Sequence, residues 1–121
     1  MELAVEEVNA AGGVGGRKIE VVMRDDNANP GDAVRMAEEL VSAEKVDMIA
    51  GGFLSNIGLA LADFAKQRKV AYLASEPLTD KIVWQGGNRY TYRLRPSTYM
   101  QSAMLAPDAI KLKKKRWAFV Y

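Results

Sequence analysis

Cysteine and histidine are both missing from this 121-residue chain, and the two absences remove whole chemistries. Without cysteine there is no disulfide, no thiolate zinc site and no cysteine nucleophile. Without histidine there is no serine–histidine triad and none of the common histidine metal sites. A strong excess of one charge is missing too: 17 basic against 15 acidic residues leave a net charge of +2, too little to argue for nucleic acid. No apolar run approaches the roughly 20 residues that cross a bilayer, so no direct membrane insertion is expected. No basic region followed by an apolar stretch opens the chain, and it reads as carrying no signal peptide. What is present, 49% hydrophobic and 26% charged residues, is the composition of about one globular domain.

The stretch that organises the rest is Val46 to Asn56, VDMIAGGFLSN. Val46–Ala50 reads as a buried strand, Gly51-Gly52 as a turn, and Ser55 onward as a helix. A helix start leaves backbone N–H groups without partners and carries partial positive charge, so strand, glycine turn and serine form a cradle for an anion. Ser55 or Asn56 is the expected cap or ligand donor.

Around this unit the pattern alternates. Met1, Ala4, Val5 and Val8 fall at helical spacing over residues 1–10, and Ala11-Gly12-Gly13 ends that helix. Lys18–Arg24, KIEVVMR, reads as a β-rich strand through Ile19, Val21, Val22 and Met23. Asp25-Asp26-Asn27 closes it, and Asn29-Pro30 opens a helix as N-cap and first-turn proline. That helix places Ala33, Val34, Ala37, Leu40 and Val41 on one face. The helix at Ser55 to Arg68 buries Ile57, Ala60, Leu61, Phe64 and Ala65, and Val70–Ala74 is a further strand. Then come a loop at Ser75 to Asp80, a helical turn near Ile82–Trp84 and a strand at Tyr90–Leu94 with Arg93 and Arg95 on its exposed side. A helix from Ser97 to Leu112 follows, with Met100, Ala103, Met104 and Ile110 inward and Pro107 expected to kink it or leave a carbonyl to water. Trp117–Tyr121 is expected to be a last strand. Strands alternating with helices predict right-handed crossovers, a mainly parallel sheet and a three-layer αβα arrangement.

Other sites are weighed and set aside. Asp25-Asp26 suggests the acidic pair of a receiver domain, but that chemistry needs an aspartate at the end of the next strand, where glycines stand. Gly12, Gly13, Gly15 and Gly16 precede a strand instead of following one, and the turn at 51–52 has no P-loop lysine, so no nucleotide cofactor is expected. Lys111, Lys113, Lys114, Lys115 and Arg116 read as cations at a helix C-terminus. No metal, cofactor or catalytic set is expected, and the chain does not read as an enzyme.

The runs AVEEVNAAGGVGGRKIEVVMRDDNANPGDAV, VDMIAGGFLSN and VAYLASEPLTD together resemble the first lobe of type I periplasmic binding proteins, in the leucine/isoleucine/valine-binding branch of ABC importers. The resemblance implies a hinged, two-lobed receptor that traps a small ligand and presents it to a membrane permease, in the periplasm. In that family a secretion signal and a first strand precede the position of Met1, and a second lobe follows Tyr121. Residues 1–121 are accordingly expected to be a partial N-terminal lobe in which the strands at 18–24 and 46–50 share no neighbour and leave backbone groups and apolar surface exposed. Carried over residue by residue, the resemblance sets the ligand's carboxylate on the hydroxyl and amide of Ser55, beside Leu54 and Asn56. It sets the ammonium on the Ala74 carbonyl, and further carboxylate contacts on Ser75, beside Glu76. Glu76 and the bulky Phe53-Leu54 depart from the family, which leaves an amino acid, an aromatic acid, an amide or a polyamine-like compound open as ligand. The same fold also serves as the sensing domain of a regulator or membrane receptor, the second function class.

Overall fold

Helix α1 (Glu2–Ala10) opens the computed structural model, which describes residues 2–118. An extended stretch leads to α2 (Pro30–Ser42), β1 (Met48–Gly51), α3 (Ser55–Arg68) and β2 (Ala71–Ala74). A 3-10 turn at Asp80–Ile82, β3 (Thr91–Arg93) and α4 (Thr98–Lys111) complete it. The strands pair in the order β1-β2-β3, both pairs parallel, so the α/β class and the parallel sheet are as expected.

Local chemistry explains where the helices begin and end. The Asn29 side chain accepts from the N–H groups of Gly31 and Asp32, at 2.8 and 3.1 Å, and Pro30 occupies the first turn, where its missing N–H costs nothing. Ser97, fully buried, caps α4 by accepting from the Met100 N–H at 3.2 Å. α4 continues through Pro107, which has no N–H to offer the Ala103 carbonyl. α3 stops at Lys69, whose left-handed backbone turns the chain into β2.

Because alternate residues of a strand point to opposite faces, the register sorts the sheet into two unlike sides. Ile49, Tyr72 and Thr91 stand side by side and are all buried. Against that side lies α3, with Ile57, Leu61, Phe64 and Ala65 buried, and α2 packs along α3 with Ala33 and Ala37 buried. The other side carries Met48, Ala50, Leu73 and Tyr92, with Met48 53% and Tyr92 61% exposed. The closest approach in the core is between Gly58 of α3 and the fully buried Pro77: a methyl group on Gly58 would come within 2.5 Å of the proline ring.

Four expectations are corrected. Lys18–Arg24 forms no ladder among the described residues; an isolated bridge joins Val14 to Arg17. With no strand beside it, the segment is held by side chains. Asn9 exchanges two hydrogen bonds with the Ile19 backbone, at 2.7 and 2.8 Å, and Arg24 reaches Glu39 and Glu44 on and just past α2, at 2.8 and 2.7 Å. Val21 and Met23 are exposed in consequence. Next, Met100, Ala103, Met104 and Ile110 of α4 do not point inward but are all exposed. The ties to that helix recorded among the described residues come from its first turn, where Thr98 N–H donates to the Leu78 carbonyl, Tyr99 N–H to Asp80 and the Tyr99 ring meets Trp84. α1 likewise buries none of its residues. Third, Arg93 is not on the exposed side: its guanidinium donates to the Thr79 carbonyl at 2.7 Å, and its Nη2 is buried without a partner. Last, Trp117 and Ala118 are not in a strand, and residues 119–121 of that expected strand, like Met1, lie outside the described residues.

Gly58→Ala tests the tight contact. Overpacking against a rigid ring costs about 1–3 kcal/mol, and the helix gains about 0.5–1 kcal/mol from alanine, so a net loss of about 1 kcal/mol is expected as a lower urea midpoint.

Candidate functional site

Parallel pairing puts the carboxyl ends of all three strands at one edge. Gly51 registers with Ala74 and Ala74 with Arg93, so the segments Gly52–Leu54, Ser75–Glu76 and Leu94–Arg95 all leave the sheet at the same rim. The first of these turns is held from below. Tyr72, fully buried, donates its phenolic hydroxyl to the Gly51 carbonyl at 3.0 Å. Gly52 has a positive φ, and a methyl group there would lie 3.1 Å from that hydroxyl and 3.2 Å from Leu61, so glycine is required on both counts. Burial pushes the Tyr72 phenol well above its ordinary pKa, and the Asp26 carboxylate adds to the effect. Asp26 itself lies on the loop that lines an open concavity of about 390 Å³ with Met23, Arg24 and Asp25.

The six expected site residues fall on this rim, with two differences from expectation. Leu54, not Ser55, is the N-cap of α3, and it supplies no side-chain hydrogen bond. Ser55 is already the first helical residue, so its hydroxyl is no cap; Asn56 accepts from the Ile57 N–H at 3.0 Å, one step further in. Among the described residues, the N–H groups of Ser55 and Asn56 and the hydroxyls of Ser55 and Ser75 have no hydrogen-bond partner. The second difference concerns Ala74. It is fully buried and its carbonyl accepts from the Leu94 N–H at 3.1 Å, so it is not a free acceptor but one with a single lone pair remaining. Glu76 is half-buried and paired, receiving a hydrogen bond from Arg95 at 2.6 Å.

The residues at the rim that the sequence reading did not assign to the site are Tyr72 and Arg95. Tyr72 had a signal, being the one bulky polar group in an otherwise apolar strand, VAYLA. Arg95 had none, because its meeting with Glu76 depends on the register of β2 with β3. Among the described residues no group of histidine, cysteine or carboxylate side chains is arranged to hold a metal.

A parallel α/β unit with its turns gathered at the carboxyl ends of the strands, one of them an uncapped helix start, belongs to the class that receives ligands at that edge. The match to known proteins is narrower: residues 1–121 match the periplasmic binding protein family throughout, and the chain belongs to that family. Its similarities lie on the leucine/isoleucine/valine-binding branch. It is 36% identical over 96 residues to the Leu/Ile/Val-binding protein homolog 7 of Brucella abortus (strain 2308), covering 79% of this chain and 24% of the relative. A substrate-binding protein of an ABC transporter from Desulfitobacterium hafniense, solved with Leu, superposes with a TM-score of 0.86 at 26% identity, covering 95% of this chain and 34% of that one. A solute-binding protein from Rhodopseudomonas palustris BisB5, solved with 3,4-dihydroxybenzoic acid, gives 0.79 at 30% identity, covering 91% and 30%. The chain thus spans about a quarter of the length of the curated relatives it matches. The family is one of binding proteins, not catalysts.

Tyr72→Phe tests the support under the first turn. Losing the donor to the Gly51 carbonyl is expected to cost about 1 kcal/mol in denaturant unfolding at neutral pH. The folded-state pKa of Tyr72 is raised, so its contribution is complete below the unfolded value near 10 and is lost as pH rises above it. The variant is therefore expected to lose less stability than wild type between pH 9 and 11, measured by alkaline unfolding.

Proposed function

We propose that residues 1–121 form part of the N-terminal lobe of a two-lobed solute-binding receptor, the substrate-binding component of an ABC transporter. It captures an amino acid or a related small carboxylate or amide and delivers it to a membrane permease from the periplasm. The observation that carries this reading is the rim itself: an uncapped α3 start and the Ser75 turn, brought to one edge by the pairing of Gly51 with Ala74.

The ligand's carboxylate docks on the free N–H groups of Ser55 and Asn56 and the hydroxyls of Ser55 and Ser75, flanked by Leu54. These donors have the sign and the vacancy that an anion needs. Glu76 borders the site, and the Ala74 carbonyl, fully buried and engaged by the Leu94 N–H, gives an ammonium group no open acceptor. The ligands named for the solved neighbours, Leu in one and 3,4-dihydroxybenzoic acid in another, share a carboxylate and differ elsewhere. That supports a carboxylate as the common element of recognition.

Magnitudes explain why one lobe does not suffice. A hydrogen bond to a charged group contributes about 1.5–3 kcal/mol where water is excluded, whereas an exposed helix start gives about 0.3–1 kcal/mol. Closure of a second lobe over the rim supplies that exclusion. Calorimetry on residues 1–121 alone is accordingly expected to show millimolar or undetectable binding; micromolar affinity there contradicts the two-lobe reading. For the gene-encoded protein that contains these residues, a thermal-shift screen of amino acids, aromatic acids and amides is expected to raise the melting temperature by mass action. A shift with sugars or nucleotides alone refutes the proposed ligand class.

A further inference from the structure

Glu76 and Arg95 occupy equivalent places on neighbouring strands. Ala74 ends β2 two residues before Glu76, and its register partner Arg93 ends β3 two residues before Arg95. Both side chains therefore emerge at the rim, where Arg95 Nη1 donates to Glu76 Oε2 at 2.6 Å with each side chain 45% exposed. An ion pair this exposed adds little to stability. Fold-holding at this edge falls to Arg93, whose guanidinium turns under the Leu78-Thr79 loop.

The pair instead bears on the charge of the rim. Glu76 directly follows Ser75, and on the proposed function, on which this inference rests, Ser75 meets the ligand's carboxylate. An unpaired Glu76 would repel an anion at Ser75 and attract a cation. We infer that Arg95 is a specificity-determining residue that neutralises Glu76, so that the rim admits carboxylate ligands, zwitterionic or aromatic, and rejects amines and polyamines. Arg95 acts through Glu76; it is not itself the anchor of the ligand.

A double-mutant cycle in the gene-encoded protein containing residues 1–121 tests this, with leucine and 4-hydroxybenzoate as carboxylate probes and spermidine as the amine probe, read by calorimetry. For the carboxylate that wild type binds, R95Q is expected to weaken Kd about tenfold and E76Q to tighten it, while E76Q/R95Q returns to within about threefold of wild type. Spermidine binding is expected to rise in R95Q only. Melting temperatures of the ligand-free variants, expected within about 2 °C of wild type, keep loss of fold apart from loss of affinity. Carboxylate binding unchanged in R95Q overturns the inference and leaves the proposed function standing. A double variant as weak as R95Q also overturns it, because Arg95 would then contact the ligand directly. Wild-type protein that binds spermidine and neither carboxylate overturns both the inference and the function beneath it.

Discussion

Parallel register is the constraint on which the rest depends. Three strands of three or four residues each run the same way, and Gly51, Ala74 and Arg93 stand level at their ends. Any one-residue slip would turn Tyr72 away from α3 and carry the Ser75 turn off the level of the Gly51-Gly52 turn. Tyr72 guards against this slip from two directions. Its ring fills the space beneath α3, and its hydroxyl is satisfied only when the Gly51 carbonyl lies above it.

Burial is concentrated in one half of the molecule. Ile49, Tyr72 and Ala74 of the sheet, Ile57, Leu61, Ala62, Phe64 and Ala65 of α3, and Ala33 and Ala37 of α2 form one continuous core, with Ile82 and Pro77 closing its end. α1, the stretch 18–24, the outer side of the sheet and α4 contribute surface, not interior. These parts are tied on by polar links: Asn9 to Ile19, Arg24 to Glu39 and Glu44, Thr98 to Leu78. The rim is attached to the well-packed half, which is what a site of fixed geometry needs.

Electrostatics at the rim are finely divided. The start of α3 offers free donors with no side-chain cap competing for them, and the strand ends offer carbonyls already engaged by Tyr72 and Leu94. Unused backbone capacity is thus donor-rich at 55–56 and acceptor-poor at 51 and 74, a bias toward an anion. Two arginines spaced two apart do opposite things, Arg93 bracing the 78–79 loop and Arg95 meeting a carboxylate in solvent.

Much of this was legible in the sequence. Helical spacing in Ala33 to Val41 and Ile57 to Ala65, the Asn29-Pro30 start, and apolar runs meeting turns at 51 and 74 determine the alternation, the parallel class and the two turns of the site, because capping and periodicity are local chemistry. The same local rules also assigned a strand to Lys18–Arg24 and an inward face to α4, and there they failed. A strand exists only beside a partner, and a helix face is interior only where something packs on it. Tertiary structure alone decided that Leu54 and not Ser55 precedes α3, that the Ala74 carbonyl is engaged, and that Glu76 meets Arg95. The last two depend on which backbone groups lie level across a sheet, and register is a relation between distant segments that no single segment encodes.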